Sequence, residues 1–418
     1  MLEPRSEAGA ADFVGGNRVG LLQGGDELFP AMQLAMAEAR SQVWLATYIF
    51  HDDEAGEAMA RALIAAARRG VAVHLVVDGF GTLATLPKLK AWLVAEGVQI
   101  DVFRPLDRWA VLLQPAQLRR LHHKLCVVDD TVAFVGGINI LDDRNDLSHG
   151  RTEQPRLDFA VELRGPVVQQ VQHLAQALGT RARLGQEWRS EVGALARSQQ
   201  PVADTLQLWR ELRGRPPDDA ARTAPQQPVR VAFVVRDNLS QRRAIERRYI
   251  EAVRAAQASV DIACPYFYPR RAFRRSLRAA AQRGVRVRLL MQGKVDYRLA
   301  ALAARVLYDE LLAQGVRIFE YAPAFLHAKV AVVDERWATV GSSNIDPLSL
   351  LLNLEANAVV QDEAFARLLR QRLDTAIAAS HEVRATPRGE GWRRRLSRGF
   401  VAWCANLYLR LAGITGRY

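Results

Sequence analysis

The chain has 418 residues, a formal net charge of +12 and a pI near 10.1. With 49% hydrophobic and 24% charged residues its composition excludes a largely disordered protein, and three scattered cysteines without a CxxC pair exclude a disulfide scaffold. The N-terminal residues lack the apolar core of a signal peptide, and no apolar run reaches the roughly 18 residues that a membrane span needs. We therefore expect a soluble or peripheral protein with anionic partners.

Predicted strands and helices alternate along the first half of the chain and then repeat. In the first half, strands are predicted at 43–50, 70–78 and 97–100, with a helix at 55–69. In the second half, the same order gives strands at 260–265, 284–291 and 315–318, with a helix at 271–283. This rhythm is typical of an α/β sandwich with mostly parallel strands, and its repetition predicts two similar domains.

The residues between the halves have the composition of a linker. Pro- and Gly-rich runs at 213–219 and 223–228 interrupt the alternation. We therefore predict a first domain at 1–184, a linker at 185–229, a second domain at 230–385 and a basic tail at 386–418.

A motif of the form HxKxxxxD occurs once in each half and carries the chemistry. Its two copies consist of His122, Lys124 and Asp129, and of His327, Lys329 and Asp334. Each histidine is followed after 17 residues by an asparagine in a Gly-containing turn, Asn139 or Asn344. Both motif elements repeat at an offset of 205 residues, which indicates a duplicated catalytic unit.

The spacing within the motif suits phosphodiester chemistry. A histidine and a lysine at i and i+2 of a strand point to one face, and the apolar tetrad that follows predicts a buried strand with the aspartate at its end. If the equivalent faces of two domains meet, one imidazole can attack phosphorus while the other protonates the leaving oxygen. Lysines and asparagines would neutralise the non-bridging oxygens, so we predict no metal and no cofactor. The aspartates are candidate catalytic residues, with the positioning of loops as the alternative.

The paired motifs and their trailing asparagines resemble the HKD phospholipase D superfamily, and the stretch 327–360 resembles bacterial cardiolipin synthases, in the short form without an N-terminal membrane hairpin. The resemblance implies two phospholipase D-type α/β/α sandwich domains with pseudo-two-fold symmetry and an active site at their interface. It also implies a phosphohistidine intermediate, with His122 as nucleophile and His327 as general acid. The sequence itself is symmetric about the two histidines.

Two further carboxylates are candidates for orienting the histidines. Asp158 lies in Arg-Leu-Asp, where the family often has Trp-x-Asp, and Glu355 lies in Asn-Leu-Glu. A nucleophilic histidine needs a defined tautomer, which a carboxylate at Nδ1–H supplies. The alternative is that both residues are structural ion-pair partners.

The C-terminal tail combines charge with an apolar face. A basic cluster at 391–398 precedes Phe400, Trp403, Leu407 and Leu411, which share one face of a helix. Such a segment suits the interface of an anionic membrane. The alternative is a helix that packs on the protein's own core.

Together with the resemblance to cardiolipin synthases, these features predict a phosphatidyltransferase that makes cardiolipin from phosphatidylglycerol. We expect it to act on anionic phospholipids as a peripheral protein at the cytoplasmic face of the inner membrane, and not on nucleic acid. The alternatives are a phospholipase D that uses water as acceptor, an HKD-type nuclease, or a membrane-binding protein with a degenerate site. The acceptor head group and the oligomeric state are not indicated by the sequence.

Overall fold

A computed structural model describes residues 13–105, 120–147, 150–195, 229–237, 241–294, 308–346 and 353–384. The chain divides into two compact units, which are Val14–Val229 and a second unit from Arg230 onward that also includes Phe13. None of the helices in the described residues is long and apolar enough to cross a membrane.

The first unit contains one large sheet with helices on both faces. Its strands are β1 (Arg18–Gln23), β2 (Gln42–Thr47), β3 (Ala72–Asp78), β4 (Gln99–Phe103), β5 (Arg120–Leu121), β6 (Leu125–Val128), β7 (Val132–Gly136), β8 (Asn145–Asp146), β9 (Gly150–Arg151) and β10 (Phe159–Arg164). Its helices are α1 (Gly24–Glu38), α2 (Glu54–Arg68), α3 (Leu86–Leu93), a 3₁₀ turn (Val94–Glu96) and α4 (Val167–Leu195). The strand order of the sheet is β1-β10-β7-β6-β2-β3-β4, and β8 pairs with β9 apart from it.

Alternate residues of β2 show how the layers form. Val43 and Leu45 belong to the core that α1, α2 and α3 cover. Trp44 points to the other face of the strand, where α4 crosses it at Gly179. A Cβ atom at Gly179 would lie 2.7 Å from the Trp44 ring, so this close approach requires glycine.

The second unit repeats this arrangement. Its strands are β11 (Arg230–Arg236), β12 (Ser259–Ala263), β13 (Arg286–Gln292), β14 (Arg317–Tyr321), β15 (Val330–Val333), β16 (Trp337–Gly341), β17 (Asn353–Gln361) and β18 (Ser380–Glu382). Its helices are α5 (Ala244–Ala255), α6 (Arg271–Gln282) and α7 (Glu363–Ala378). The order β11-β17-β16-β15-β12-β13-β14-β18 matches that of the first sheet strand for strand, with β18 added at the edge.

The two faces of this second sheet differ in chemistry. Residues of α5 and α6 share an apolar core with alternate residues of β12 and β13. On the other face, Arg288 of β13 donates to the carboxylates of Asp261 and Asp374 at 2.6 Å each, which ties β12 to α7. The strands thus lie between two helical layers, and the prediction of two similar α/β sandwich units is confirmed.

The prediction of mostly parallel strands was wrong. Along the two strand orders given above, the parallel pairs are β2–β3, β3–β4, β12–β13 and β13–β14, and the other neighbouring pairs are antiparallel. The connections β6–β7 and β15–β16 are too short for the crossover that parallel strands need. Each is a tight turn with two left-handed residues, of φ 50° and 56° at Asp129 and Asp130 and 52° at both Asp334 and Glu335.

The predicted linker and tail fall largely outside the described residues. Helix α4 continues to Leu195, so helical structure covers the first part of the predicted linker 185–229. The remainder of the linker as far as 228, and the tail 386–418, lie outside the described part of the chain.

Candidate active site

The motif histidines and lysines precede their strands. We predicted that they lie on the strand itself, which was wrong, because β6 begins at Leu125 and β15 begins at Val330. Lys124 Nζ turns back and donates to the His122 carbonyl oxygen at 3.0 Å, and Lys329 Nζ donates to the His327 carbonyl oxygen. Each ammonium is thereby held beside the histidine of its own motif.

Burial of these lysines sets up a site for negative charge. Lys124 is 6% exposed and Lys329 is 1% exposed, whereas His122 and His327 are half-buried. Removing an ammonium from water is unfavourable unless hydrogen bonds or an anion replace the lost hydration. Each ammonium has a carbonyl acceptor in its own motif, and a phosphate oxygen bound beside it would add an attraction between opposite charges. The histidine remains partly accessible to react.

An aromatic ring contacts both the histidine and the lysine of the first motif. The Tyr48 ring centroid lies 5.2 Å from that of His122, and Lys124 Nζ lies 5.5 Å from the centre of the Tyr48 ring. Phe50 and Phe267 form the same bridge in the two units, so the position equivalent to Tyr48 is Pro265. The two half-sites, which are the surroundings of His122 and of His327, are therefore not identical.

The motif aspartates lie at the far end of their strands from the histidines. The Asp129 carboxylate accepts hydrogen bonds from the backbone amides of residues 40, 41 and 42 at 2.6–2.9 Å, and from the Ser41 hydroxyl at 2.7 Å. The Asp334 carboxylate accepts hydrogen bonds from the backbone amides of residues 257, 258 and 259 at 2.8 Å each. Partial burial opposes ionisation of both groups, but these bonds prevail and lower the pKa of each. Both aspartates fasten the start of the neighbouring strand, which favours positioning over catalysis.

The two asparagines occupy equivalent turns after β7 and β16. Asn139 Oδ1 accepts from the backbone amide of Ile49 at 3.2 Å, and Asn344 Oδ1 lies 3.9 Å from Cys264 Sγ. In both turns the side-chain oxygen is thus directed to the segment that follows the central strand β2 or β12. The amide nitrogen of each is the group that can donate to a phosphate oxygen.

Asp158 and Glu355 occupy the same place in the two units. Asp158 lies two residues before Ala160, which pairs with Gly136, and Glu355 lies two residues before Asn357, which pairs with Gly341. Both carboxylates are buried, at 1% and 0% exposure. The residues that contact these carboxylates are also equivalent. A Cβ atom at Gly137 would lie 2.5 Å from Asp158 Oδ1. Ser342, at the same position of the repeat, donates to Glu355 Oε2 at 2.5 Å.

The buried charged residues near these two carboxylates differ between the units. Arg236 is fully buried and lies opposite Glu355 in the β11–β17 register; burial lowers the pKa of Arg236, and the Glu355 carboxylate opposes that shift. In the first unit, buried Asp143 accepts from the Gly25 amide at 2.5 Å. Burial raises the pKa of Asp143 to about 7, the Gly25 hydrogen bond opposes the shift, and the nearby Asp158 adds to it. A buried arginine thus lies near Glu355, whereas a buried carboxyl group lies near Asp158, with Arg156 also close to Asp143.

Both halves of the chain are similar in sequence to proteins of one known family. The family described as cardiolipin synthase, PLD-like domain, matches residues 33–150 and 249–377. Cardiolipin synthase B of Shigella flexneri is 36% identical over 365 residues, which cover 87% of this chain and 81% of that protein. The chain belongs to the phospholipase D-like cardiolipin synthase family.

Two further comparisons extend the relationship of this cardiolipin synthase family member. Cardiolipin synthase A of Pseudomonas fluorescens strain SBW25 is 31% identical over 383 residues, covering 91% of this chain and 73% of that protein. The crystal structure of phosphatidylserine synthase from Haemophilus influenzae Rd KW20 superposes with a TM-score of 0.66 at 13% identity, covering 96% of both chains. At that identity the likeness concerns the fold.

Asp78 and Gln292 are site residues that our sequence interpretation missed in this member of the cardiolipin synthase family. Asp78 Oδ2 accepts from the backbone amide of Leu121 at 2.8 Å, and Gln292 Oε1 accepts from that of Leu326 at 2.7 Å. Leu121 and Leu326 directly precede the motif histidines. The available signal was that each is the polar residue that ends the third strand of its unit, β3 or β13, immediately before a glycine.

Proposed function

We propose that this protein is a cardiolipin synthase that transfers the phosphatidyl group of one phosphatidylglycerol to the head group of another through a phosphohistidine. The observation that carries the proposal is the presence of two complete half-sites. Each has a half-buried histidine, a buried lysine beside it, an asparagine in the following turn, and a buried carboxylate at the same register position. Membership of the cardiolipin synthase family supports the choice of substrate.

In the first step His122 is the nucleophile. A ring nitrogen of His122 forms a bond to the lipid phosphorus while the bond from phosphorus to the glycerol oxygen breaks. His327 donates a proton to that oxygen, so that glycerol leaves as a neutral alcohol. Asp158 and Glu355 orient the two imidazoles and favour the tautomer that each role needs.

In the second step His327 acts as a general base instead of a general acid. His327 accepts the proton of a head-group hydroxyl from a second phosphatidylglycerol as that oxygen attacks phosphorus. The bond between His122 and phosphorus then breaks and cardiolipin is released. One phosphodiester is exchanged for another, so the reaction needs no nucleotide.

The lysines and asparagines stabilise the charge that develops in both steps. The ammonium groups of Lys124 and Lys329 and the amide groups of Asn139 and Asn344 donate to the non-bridging oxygens of the phosphoryl group. Asp129 and Asp334 act at a distance by fixing the strands that carry these groups. We assign the protein to the cytoplasmic face of the inner membrane as a peripheral enzyme, with the tail 386–418 as one means of attachment.

Product analysis tests this proposal. The purified chain is incubated with phosphatidylglycerol vesicles and the products are identified by mass spectrometry, with the His122→Ala/His327→Ala variant as the blank. Cardiolipin and glycerol in equal amounts are expected. Phosphatidate as the main product would replace the synthase with a phospholipase D that uses water, and cleavage of DNA without lipid turnover would replace it with a nuclease.

A further inference from the structure

Helix α6 carries a row of arginines on its solvent-facing side. Arg271, Arg274, Arg275 and Arg278 follow the spacing i, i+3, i+4 and i+7, which places them on one face. Arg271, Arg275 and Arg278 are exposed and Arg274 is half-buried. The opposite face of the helix is packed into the core of the second unit. We call these four residues the arginine row.

The arginine row forms one wall of an open groove. The groove has a volume of about 330 Å³, and its other wall contains Glu310, Leu311 and Gln314. Arg274 Nη1 lies 3.3 Å from Glu310 Oε2, which is the acidic side chain of the lining. Four guanidinium groups against one carboxylate leave the groove strongly positive.

The stability of the fold does not account for the arginine row. Like charges three and four residues apart on a helix repel each other, and positive charge at a helix N-terminus is opposed by the helix dipole. Arg271 is the first residue of α6, the residue before it provides no side-chain cap, and the helix contains no acidic residue. The arrangement therefore works against the helix that carries it.

The equivalent helix of the first unit shows that the repeat does not require these arginines. Helix α2 also connects the first two parallel strands of its sheet, but it begins with a capping bond from the Gly56 amide to Asp53 Oδ1 at 3.1 Å. Its first turn contains Glu54 and Glu57, as the helix dipole favours. The arginine row is thus a feature of the second unit alone within these paired helices.

The arginine row begins at the edge of the sheet where the second half-site lies. Strand β12 ends at Ala263, which pairs with Val330 at the start of the antiparallel strand β15. His327 lies three residues before β15, and α6 begins at Arg271, after the short segment that follows β12. The N-terminal end of α6 and His327 are therefore on the same edge of this sheet, and the row extends from there for about 10 Å along the helix axis.

We infer that the arginine row is a docking surface for the phosphate head groups of an anionic lipid bilayer. The inference rests on the proposed function in taking the bilayer that holds the substrate as the partner. Guanidinium groups bind phosphate oxygens in a bidentate manner, and the groove is open to solvent so that head groups in a surface can reach it. Docking here brings the sheet edge of the second half-site to the lipid surface.

Vesicle sedimentation of the full chain tests the inference without requiring turnover. Binding is measured to vesicles of phosphatidylcholine with phosphatidylglycerol and to vesicles of phosphatidylcholine alone. The variant Arg271→Gln/Arg275→Gln/Arg278→Gln should bind the anionic vesicles roughly 100-fold more weakly, since each arginine near an anionic surface contributes a factor of about five. Glutamine preserves helix propensity, and loss of like-charge repulsion should leave the melting temperature equal or higher.

A matched variant separates this surface from charge in general. Arg336→Gln/Arg367→Gln/Arg372→Gln removes the same charge from the opposite face of the same sheet, around α7, and should bind within about threefold of the unmodified chain. Equal loss in both variants, or unchanged binding in the first, would overturn the inference. So would a loss of binding to double-stranded DNA in the arginine-row variant with vesicle binding intact. Because binding is scored independently of products, failure of the proposed reaction would not be mistaken for failure of docking.

Discussion

Asp78 and Gln292 end equivalent strands, and each accepts a hydrogen bond from the backbone amide of the residue before a motif histidine. Asp78 is fully buried and also accepts from the Phe80 amide at 2.8 Å. Burial raises the pKa of Asp78, and its backbone hydrogen bonds oppose that rise. The path of the chain into each histidine is thus fixed by a side chain far from the motif in sequence.

Removing these acceptors should loosen the motif segment. Asp78→Ala leaves buried amides without a partner and should lower the free energy of unfolding by about 1–3 kcal/mol. It should also lower kcat, because His122 loses its fixed position. Urea unfolding measures the change in stability. Initial rates at temperatures below the unfolding transition measure the change in kcat. Asp78→Asn retains one of the two acceptor oxygens and should recover part of the loss. Gln292→Ala should act in the same direction as Asp78→Ala, and full activity in both alanine variants would contradict this role.

The two histidines should fail in different ways. His122→Ala and His327→Ala each abolish turnover, because one removes the nucleophile and the other the proton carrier. His327→Asn should accumulate a phosphorylated enzyme on His122 that does not turn over. Peptide mapping after incubation with ³²P-labelled phosphatidylglycerol locates the label. A label on His327 in the His122→Asn variant, with none on His122 in the other, would reverse the assignment.

The motif aspartates should affect stability more than chemistry. Asp129→Ala removes the acceptor of several amides and should lower the free energy of unfolding by roughly 2 kcal/mol. Since its folded-state pKa is lowered, this stabilisation is complete above the unfolded pKa of about 4 and is lost as pH falls through the folded value. Thermal unfolding at pH 3 and pH 7 checks the trend. A folded Asp129→Asn enzyme with less than about 1% activity would instead point to a catalytic role.

Asp143 should make stability depend on pH near neutrality. Its folded-state pKa is raised to about 7, so the folded state binds the proton more tightly than the unfolded chain does. The contribution of Asp143 to the free energy of unfolding is therefore greatest below about pH 4. It falls as the pH rises to about 7, by up to about 1.4 kcal/mol per pH unit. Asp143→Asn keeps an acceptor for the Gly25 amide. It should reduce the change of melting temperature with pH between pH 5 and 8. The neighbouring half-exposed Asp142, changed to Asn, is the control and should leave the slope unchanged; the same slope in both variants would refute the assignment.

Chelation should leave catalysis intact. Lys124 and Lys329, with the two asparagines, supply the positive charge that the phosphoryl oxygens need, so initial rates in excess EDTA should stay within about twofold of the untreated enzyme. Rates are measured on phosphatidylglycerol dispersed in detergent, which avoids effects of divalent ions on vesicles. Loss of activity that one particular divalent ion restores would show that the proposed chemistry is incomplete.

The repeat could be predicted from sequence because its signals are local. Apolar runs, glycines at strand ends and the motif spacing lie within short windows. They predicted the three parallel strands of each unit, the strands β6 and β15 after the motif lysines, and the equivalence of the two halves. The placement of His122 and Lys124 before β6 could not be predicted, since it depends on where pairing with β2 begins, and Ala46 pairs first with Leu125.

The supporting residues could not be predicted because they meet the motifs through long-range contacts. Tyr48 and Asp78 reach the His122 segment from the ends of two other strands, and nothing in the spacing relates them to it. Arg236 lies opposite Glu355 only in the observed register, which a single sequence does not determine. The equivalence of Asp158 and Glu355 was proposed from sequence, but its basis in strand pairing became visible only in the structure.

The backbone amides gathered by Asp129 and Asp334 have an evolutionary consequence. The aspartate of each motif binds the start of the neighbouring strand, whereas the histidine and lysine form the reactive part. A related protein that lacked both histidines but kept both aspartates would retain these contacts between neighbouring strands, and a search for the whole motif would not find it. Such relatives are better sought by an aspartate at the end of a strand, followed by a hairpin turn with two left-handed residues, than by the histidines that give the motif its name.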